Sequence, residues 1–125
     1  RDIELITNGY NFFKKKKANA VCSVSKLPIP IAWMNRLKKD LSMDKFMKHK
    51  LLDIRSQNLD NYYFINGGFY MADVDFYKKH KKFYNKKKTF AFITPYSTSL
   101  DIDSTLDMFV AEKLIKYKKI LKNFN

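Results

Sequence analysis

Asp101 and Asp103, two acids separated by a single apolar residue, are the side chains whose spacing best suits chemistry. Alternate side chains of an extended segment project to the same side, so both carboxylates should face one direction. Mg²⁺ binds to one or two carboxylates together with phosphate oxygens and water. The pattern therefore favours a site for a hard divalent cation. The alternative is a turn or a helix cap at Asp103 and an ordinary surface acid at Asp101.

A second group of recognition side chains lies upstream, where Arg55 stands close to Gln57 and residues 66–70 read Asn-Gly-Gly-Phe-Tyr. The planar fork of arginine binds a carboxylate or a phosphate, and Gln, Asn and Tyr can hydrogen-bond to sugar hydroxyls and an acyl amide. The alternative is a solvent-exposed arginine in a loop and a tyrosine in the core. The three glycines and two histidines of the chain fit neither a phosphate loop nor a zinc site.

The sequence is strongly basic, since 25 Lys and Arg against 12 Asp and Glu give a formal net charge of +13. This balance favours anionic partners, among them nucleic acids, nucleotides and acidic sugars. An AT-rich gene would also produce this abundance of Lys, Asn, Ile, Phe and Tyr. The runs Lys14–Lys17 and Lys86–Lys88 lack arginine and interleaved aromatic residues, so we expect solvated helix ends or loops there. A basic nucleic-acid-binding module is the alternative function.

Length and composition predict one globular domain that spans residues 1–125. The apolar fraction of 46% and the aromatic fraction of 16% are too high for a disordered chain. No run approaches the roughly 20 apolar residues of a membrane span, and the amino terminus lacks the features of a signal sequence. Cys22 is the only cysteine and cannot form an internal disulfide. We therefore expect a cytoplasmic protein without a membrane partner.

Helices and strands should alternate along the chain and produce α/β layering. Strands are predicted at 20–25, 62–71 and 89–93 from their alternation and their β-branched or aromatic content. A short helix is predicted at about 73–81. The glycine pair inside the second strand permits a positive φ or a close approach to the backbone.

The first and last helices should each be amphipathic. In the first, residues spaced by three and four positions predict one apolar face, formed by Ile3, Ile6, Tyr10 and Phe13. The last helix should begin after Ser104, with Asp107 completing a capping box in which Asp replaces the usual Glu. Its predicted buried face consists of Leu106, Phe109, Val110, Leu114, Tyr117 and Leu121.

The segment from Asp101 to Glu112 reads DIDSTLDMFVAE and matches the DID(T/S)xxDxxxAE signature of the acylneuraminate cytidylyltransferases, a family that the chain resembles. Residues 55–59 (RSQNL) and 66–70 (NGGFY) resemble the family's RxQxL and NGxxY elements, and Val21–Pro30 resembles its strand and proline-rich turn. The resemblance covers essentially the whole chain. Within the family, the RSQ triplet and the GxFY ending are most similar to the pseudaminic acid branch.

This resemblance implies a Rossmann-like, three-layer α/β fold of the nucleotide-diphospho-sugar transferase type, with its amino-terminal strands missing from this sequence. It also implies a catalytic Mg²⁺ bound by Asp101 and Asp103, with Arg55 as a further catalytic residue. The family pattern places the sugar substrate against Gln57, Asn66, Gly67, Tyr70, Phe83 and Tyr84.

The activity that the resemblance implies is transfer of CMP from CTP to the anomeric hydroxyl of a nonulosonic (sialic-type) acid, with release of pyrophosphate. It implies a homodimer whose contacts involve an arm at residues 33–66, and no nucleic-acid partner. The family's Gly-rich, basic nucleotide loop has no counterpart in the sequence. We therefore expect the chain alone to turn over no CTP, and a non-catalytic, dimerising paralogue is a further alternative.

Overall fold

The computed structural model of the protein describes residues 3–47 and 59–117. The chain divides into two compact units, one made of Arg1–Ser25 with Phe64–Asn125 and the other of Lys26–Tyr63. The sheet and the three α-helices of the described residues belong mainly to the first unit. This first unit therefore positions the two aspartates and the aromatic residues predicted to form the site.

The second unit covers most of the arm predicted at 33–66, whose role in a dimer stays a prediction. It contains the 3₁₀ turn Ile31–Trp33. Two cavities of about 330 Å³ and 420 Å³ lie within it, both bordered by Pro30 and Tyr62. Among the residues that the structure describes, none of the predicted site residues lines either cavity.

The described residues form three α-helices and three strands, in the order that the sequence predicts. In chain order the elements are α1 (Ile3–Lys16), β1 (Ala20–Lys26), β2 (Tyr63–Ala72), α2 (Val74–His80), β3 (Thr89–Ile93) and α3 (Thr105–Lys116). The strands make one small mixed sheet in the order β2-β1-β3, so the prediction of a mixed α/β structure is confirmed. Over residues 3–47 and 59–117, no helix is long and apolar enough to cross a membrane.

β1 is the central strand and is buried on both sides. It runs parallel to β3, beginning with Ala20 opposite Thr89. Its side chains are small, and those of Val21 and Ser23 have no solvent-exposed surface. Because both faces of the strand are covered, its apolar residues form a nearly continuous run, as in strands of a buried parallel sheet.

α1 packs against the sheet through Gly9, whereas most of the apolar face predicted from the sequence is exposed. A Cβ atom on Gly9, the buried residue of this helix, would lie 2.4 Å from Cζ of Phe69. Beside it, the rings of Phe12 and Phe92 meet edge to face, with 5.5 Å between centroids. Ile3, from the predicted face, is 82% exposed. The reason is steric, since a residue without a side chain lets the aromatic ring approach the helix backbone.

α2 is fixed at both ends by its caps. The carboxylate of Asp73 accepts a hydrogen bond from the backbone N–H of Phe76 at 3.0 Å. At the other end, Lys81 adopts a left-handed conformation with φ of 52° and closes the helix. Phe76 is the buried residue of this helix. These caps set the point at which the chain turns from β2 toward Phe83.

α3 leaves its apolar side exposed, so the prediction of a buried face was wrong. Of the predicted buried residues, the structure exposes Leu106, Phe109, Val110 and Tyr117. Leu114 is half-buried, and Leu121 lies outside the described residues. The other half-buried positions of the helix are Asp107 and Ala111. A helix buries its apolar stripe only where another element covers it, and no element in the described ranges covers this one.

The two lysine runs are solvent-exposed, as predicted. Lys14–Lys17 close α1, and Lys86–Lys88 precede β3. The backbone N–H of Asn19 donates to the carbonyl of Lys88 at 2.8 Å, which brings both runs to the same end of the sheet.

Candidate functional site

The predicted metal-binding aspartates lie in the loop that leads into α3, and this loop is held by a capping box. The carboxylate of Asp107 accepts hydrogen bonds from the backbone N–H of Ser104 at 2.8 Å and from its hydroxyl at 2.6 Å. In return, the backbone N–H of Asp107 donates to the Ser104 hydroxyl at 3.3 Å. The hydrogen bond from the Ser104 side chain lowers the pKa of Asp107. The capping box predicted from the sequence is therefore confirmed.

Asp101 and Asp103 keep their carboxylates available for a ligand. Both residues are exposed, and within residues 3–47 and 59–117 neither carboxylate makes a hydrogen bond or an ion pair. Asp103 engages only its backbone N–H, which donates to Asp107 at 3.2 Å. Two exposed carboxylates without a protein partner among the described residues suit Mg²⁺, which takes its remaining ligands from water and phosphate. The described residues contain no group of three His, Cys, Asp or Glu side chains that would suit a closed metal cage.

Asn66 is buried, and its side chain links β2 to β1 and to Thr94, the residue that follows β3. Its Oδ1 accepts hydrogen bonds from the Ser23 hydroxyl at 2.6 Å and from the Gly68 N–H at 2.9 Å. Its Nδ2 donates to the hydroxyls of Ser25 and Thr94, both at 2.6 Å. A side-chain amide accepts two hydrogen bonds and donates two, so this group is saturated. A direct bond from Asn66 to a sugar, as the sequence predicts, would have to replace one of these four.

Tyr70 and Phe83, which the resemblance places in the sugar pocket, lie against each other. Their ring centroids are 5.7 Å apart, and the ring of Tyr77 from α2 packs on Phe83 at 4.9 Å. The three residues are 45%, 38% and 39% exposed in the order Tyr70, Phe83, Tyr77. We call them the aromatic cluster. Exposed ring faces beside phenol hydroxyls suit a ligand with apolar and hydroxylated sides, such as a sugar.

Gly67 and Tyr84 are the remaining predicted sugar-binding residues that the structure describes. Gly67 adopts a φ of 62°, and a Cβ atom there would meet nothing within 4 Å. Tyr84 is 68% exposed. Arg55 and Gln57 lie outside the described residues. In the part of the chain that the structure describes, no hydrogen bond or ring contact joins the aromatic cluster to the two aspartates.

Four residues of this region were missed by the sequence analysis: Ser23, Ser25, Thr94 and Tyr77. The two serines carried a signal, because hydroxyls at alternate positions of a buried strand must find partners in the interior. Tyr77 carried none, since a tyrosine in a short polar helix is common and its contact with Phe83 depends on how the chain folds back. The contacts of these four residues therefore become visible only in the tertiary structure.

Cys22 is a buried free thiol on the central strand. Burial raises the pKa of Cys22, and its Sγ donates to the carbonyl of Phe83 at 3.5 Å. Since the thiolate is the reactive form, a chromogenic disulfide reagent should label the native chain at least about tenfold more slowly than the urea-unfolded chain. Equal labelling rates for the native and the unfolded chain would contradict the burial.

The raised pKa of Cys22 also predicts that the free energy of unfolding falls above about pH 8.5, because the thiol of the unfolded chain ionises first.

No protein-family model matches the chain, and no curated protein matches its sequence. The residues of the site itself, above all the aspartate pair and the aromatic cluster, therefore carry the functional proposal.

Proposed function

We propose that this chain is the acceptor-sugar and metal-binding part of a cytidylyltransferase, which transfers CMP from CTP to the anomeric hydroxyl of a nonulosonic acid and releases pyrophosphate. The observation that carries the proposal is the organisation of the 101–107 segment. Ser104 and Asp107 bond to each other, whereas Asp101 and Asp103 stay exposed. The acids of the motif thus separate into one that builds the helix cap and two that are free for a cation. The resemblance of this segment to the acylneuraminate cytidylyltransferases supports the same reaction.

The fold of the complete domain in this proposal is Rossmann-like, of the nucleotide-diphospho-sugar transferase type. Its support is the parallel pairing of β1 with β3 and the packing of α1 on the sheet. The complete enzyme is proposed to be a cytoplasmic homodimer, with residues 33–66 as its contact arm.

In the proposed reaction, the anomeric hydroxyl oxygen forms a bond to the α-phosphorus of CTP while the bond from that phosphorus to pyrophosphate breaks. The hydroxyl proton passes to a carboxylate near the reacting oxygen. Asp101 and Asp103 would hold Mg²⁺, and the bound ion supplies charge neutralisation for the phosphates. The protein's remaining task is positioning, because phosphoryl-type transfer depends mainly on alignment and electrostatic stabilisation.

In this proposal the aromatic cluster contacts the sugar. Arg55 would pair with the carboxylate of the acidic sugar through its planar guanidinium group. Gln57 and Tyr84 would hydrogen-bond to its hydroxyl and acyl groups. A neutral hexose lacks the carboxylate, so the site should discriminate against it.

The test is a chemical-shift titration of the purified chain with N-acetylneuraminate and, separately, with a neutral hexose. We expect the acidic sugar to shift the resonances of the aromatic cluster. Tyr70→Ala and Phe83→Ala should each weaken its binding about twofold to tenfold, since an aromatic contact contributes about 0.5–1.5 kcal/mol. Tyr10→Ala removes an exposed tyrosine on α1 and should leave the affinity unchanged. Equal binding of the hexose, or full affinity in both cluster variants, would rule the proposal out.

A further inference from the structure

A bulge in β2 decides which face of the sheet its side chains occupy. Backbone hydrogen bonds pair Asn19 with Asp73 at one end and Leu27 with Tyr62 at the other. The β1 side advances eight residues from Asn19 to Leu27, whereas the β2 side advances eleven from Tyr62 to Asp73. Between the two pairs, β2 therefore contains three more residues than β1. An odd excess reverses the face on which all the following side chains lie.

The contacts of Asn66 and Phe69 show this reversal. Regular alternation would place two residues three positions apart on opposite faces of the sheet. Instead, Asn66 bonds to the hydroxyl of Ser23, and Phe69 packs at 5.6 Å on Phe92, which is the residue paired with Ser23 in β3. Asn66 and Phe69 therefore share the face covered by α1, and Tyr70 is sent to the opposite face.

The side chain of Asn66 holds this bulge in place. Its Oδ1 binds the Gly68 N–H and the Ser23 hydroxyl, and that hydroxyl in turn accepts from the Phe69 N–H at 2.8 Å. The glycines fit the same geometry. Gly67 has a φ of 62°, and a Cβ atom on Gly68 would lie 2.8 Å from the Ser23 hydroxyl oxygen. The bulge is thus fixed by one amide, one hydroxyl and two glycines.

We propose that Asn66 is a positioning residue, whose buried hydrogen bonds hold the bulge that turns Tyr70 onto Phe83. Its saturated amide acts on the site through the backbone of residues 67–69 and does not touch the substrate. The effect on the two rings is a property of the fold. The effect on sugar binding rests on the proposed function, because it acts through the aromatic cluster.

The experiment compares Asn66→Ala with Thr94→Val in the full chain. Both changes remove hydrogen bonds from the same buried network, but only Asn66→Ala removes the contacts to Gly68 and Ser23. Both variants should lower the urea midpoint. The nuclear Overhauser cross-peak between the Tyr70 and Phe83 rings should disappear in Asn66→Ala and persist in Thr94→Val. A cross-peak retained in Asn66→Ala, or lost in both variants, overturns the proposal.

Asn66→Asp covers the case in which Asn66→Ala does not fold. Aspartate keeps an acceptor oxygen for Ser23 and Gly68 and removes the Nδ2 donor, so the ring cross-peak should persist. Its loss in a folded Asn66→Asp chain overturns the proposal.

Sugar affinity separates this proposal from the function on which it partly rests. A wild-type chain that binds no nonulosonic acid refutes the proposed function, and the ring cross-peak still decides the role of Asn66. If the wild-type chain does bind, Asn66→Ala should weaken the affinity as much as Tyr70→Ala does. Full affinity in Asn66→Ala then overturns the positioning role.

Discussion

Asp101→Asn and Asp103→Asn should each weaken Mn²⁺ binding to this chain by at least about tenfold, because each change removes one anionic ligand from a two-carboxylate site. Mn²⁺ is a suitable probe, since it prefers the same oxygen ligands as Mg²⁺. Neither carboxylate takes part in a hydrogen bond within the described ranges, so the substitutions should leave the fold intact. The measurement is paramagnetic broadening of the backbone amide signals of residues 101–107 during a Mn²⁺ titration.

The matched control for the aspartate pair is Asp75→Asn. Asp75 is an exposed acid in the first turn of α2, and its removal changes the net charge by the same amount. The broadening of residues 101–107 should then equal that of the wild-type chain. A wild-type chain that shows equal broadening beside all its exposed acids, with no preference for this loop, would contradict the metal site.

Gly9→Ala should lower the free energy of unfolding by about 1–3 kcal/mol, the usual cost of overpacking a filled contact. The new Cβ atom would lie 2.4 Å from Cζ of Phe69 and 3.0 Å from each of two further ring carbons. The ring cannot retreat freely, because it packs on Phe92. The better helix propensity of alanine offsets at most about 1 kcal/mol. Urea unfolding followed by circular dichroism measures the difference.

Gly67→Ala provides the comparison for this steric effect. A Cβ atom at Gly67 meets no atom within 4 Å, so the cost there is only backbone strain at a φ of 62°, about 1–2 kcal/mol. Replacing Phe69 by leucine should recover part of the stability in Gly9→Ala and none in Gly67→Ala, because only the first variant crowds the ring. Wild-type stability of Gly9→Ala would mean that α1 does not rest on Phe69.

The local elements of this fold could be predicted because their causes are local. The capping box of Ser104 and Asp107 needs only residues three positions apart, and the structure contains it. β3 occupies the same residues, 89–93, that its β-branched and aromatic content predicts. The glycine pair after Asn66 was expected to permit a positive φ, and Gly67 adopts one.

The packing faces could not be predicted, because they depend on what lies opposite each helix. The apolar spacing of α1 pointed to Ile3 and its neighbours, whereas Gly9 makes the closest contact with the sheet. The apolar residues of α3 suggested a buried stripe, yet Leu106 is 69% exposed. Periodicity identifies an amphipathic helix, but it does not say whether a partner element covers the apolar side.

The candidate site, too, could be predicted only in part. The family resemblance placed Tyr70 and Phe83 in one sugar pocket; their rings do meet, while their role toward a sugar stays a prediction. The resemblance also identified Asn66 as a sugar-binding residue. The hydrogen bonds of the buried Asn66 amide could not be foreseen, because its partners Ser23 and Thr94 are distant from it in sequence.

The apolar side of α3, which no element of the described residues covers, makes the colloidal behaviour of this protein depend on ionic strength. Molecules with a net charge of +13 repel one another in dilute buffer. In physiological salt the Debye length is about 8 Å, so the charge repulsion between molecules is screened. Salt does not screen the attraction between exposed apolar patches. Low salt should therefore keep the molecules dispersed, and added salt should shorten the time before they aggregate.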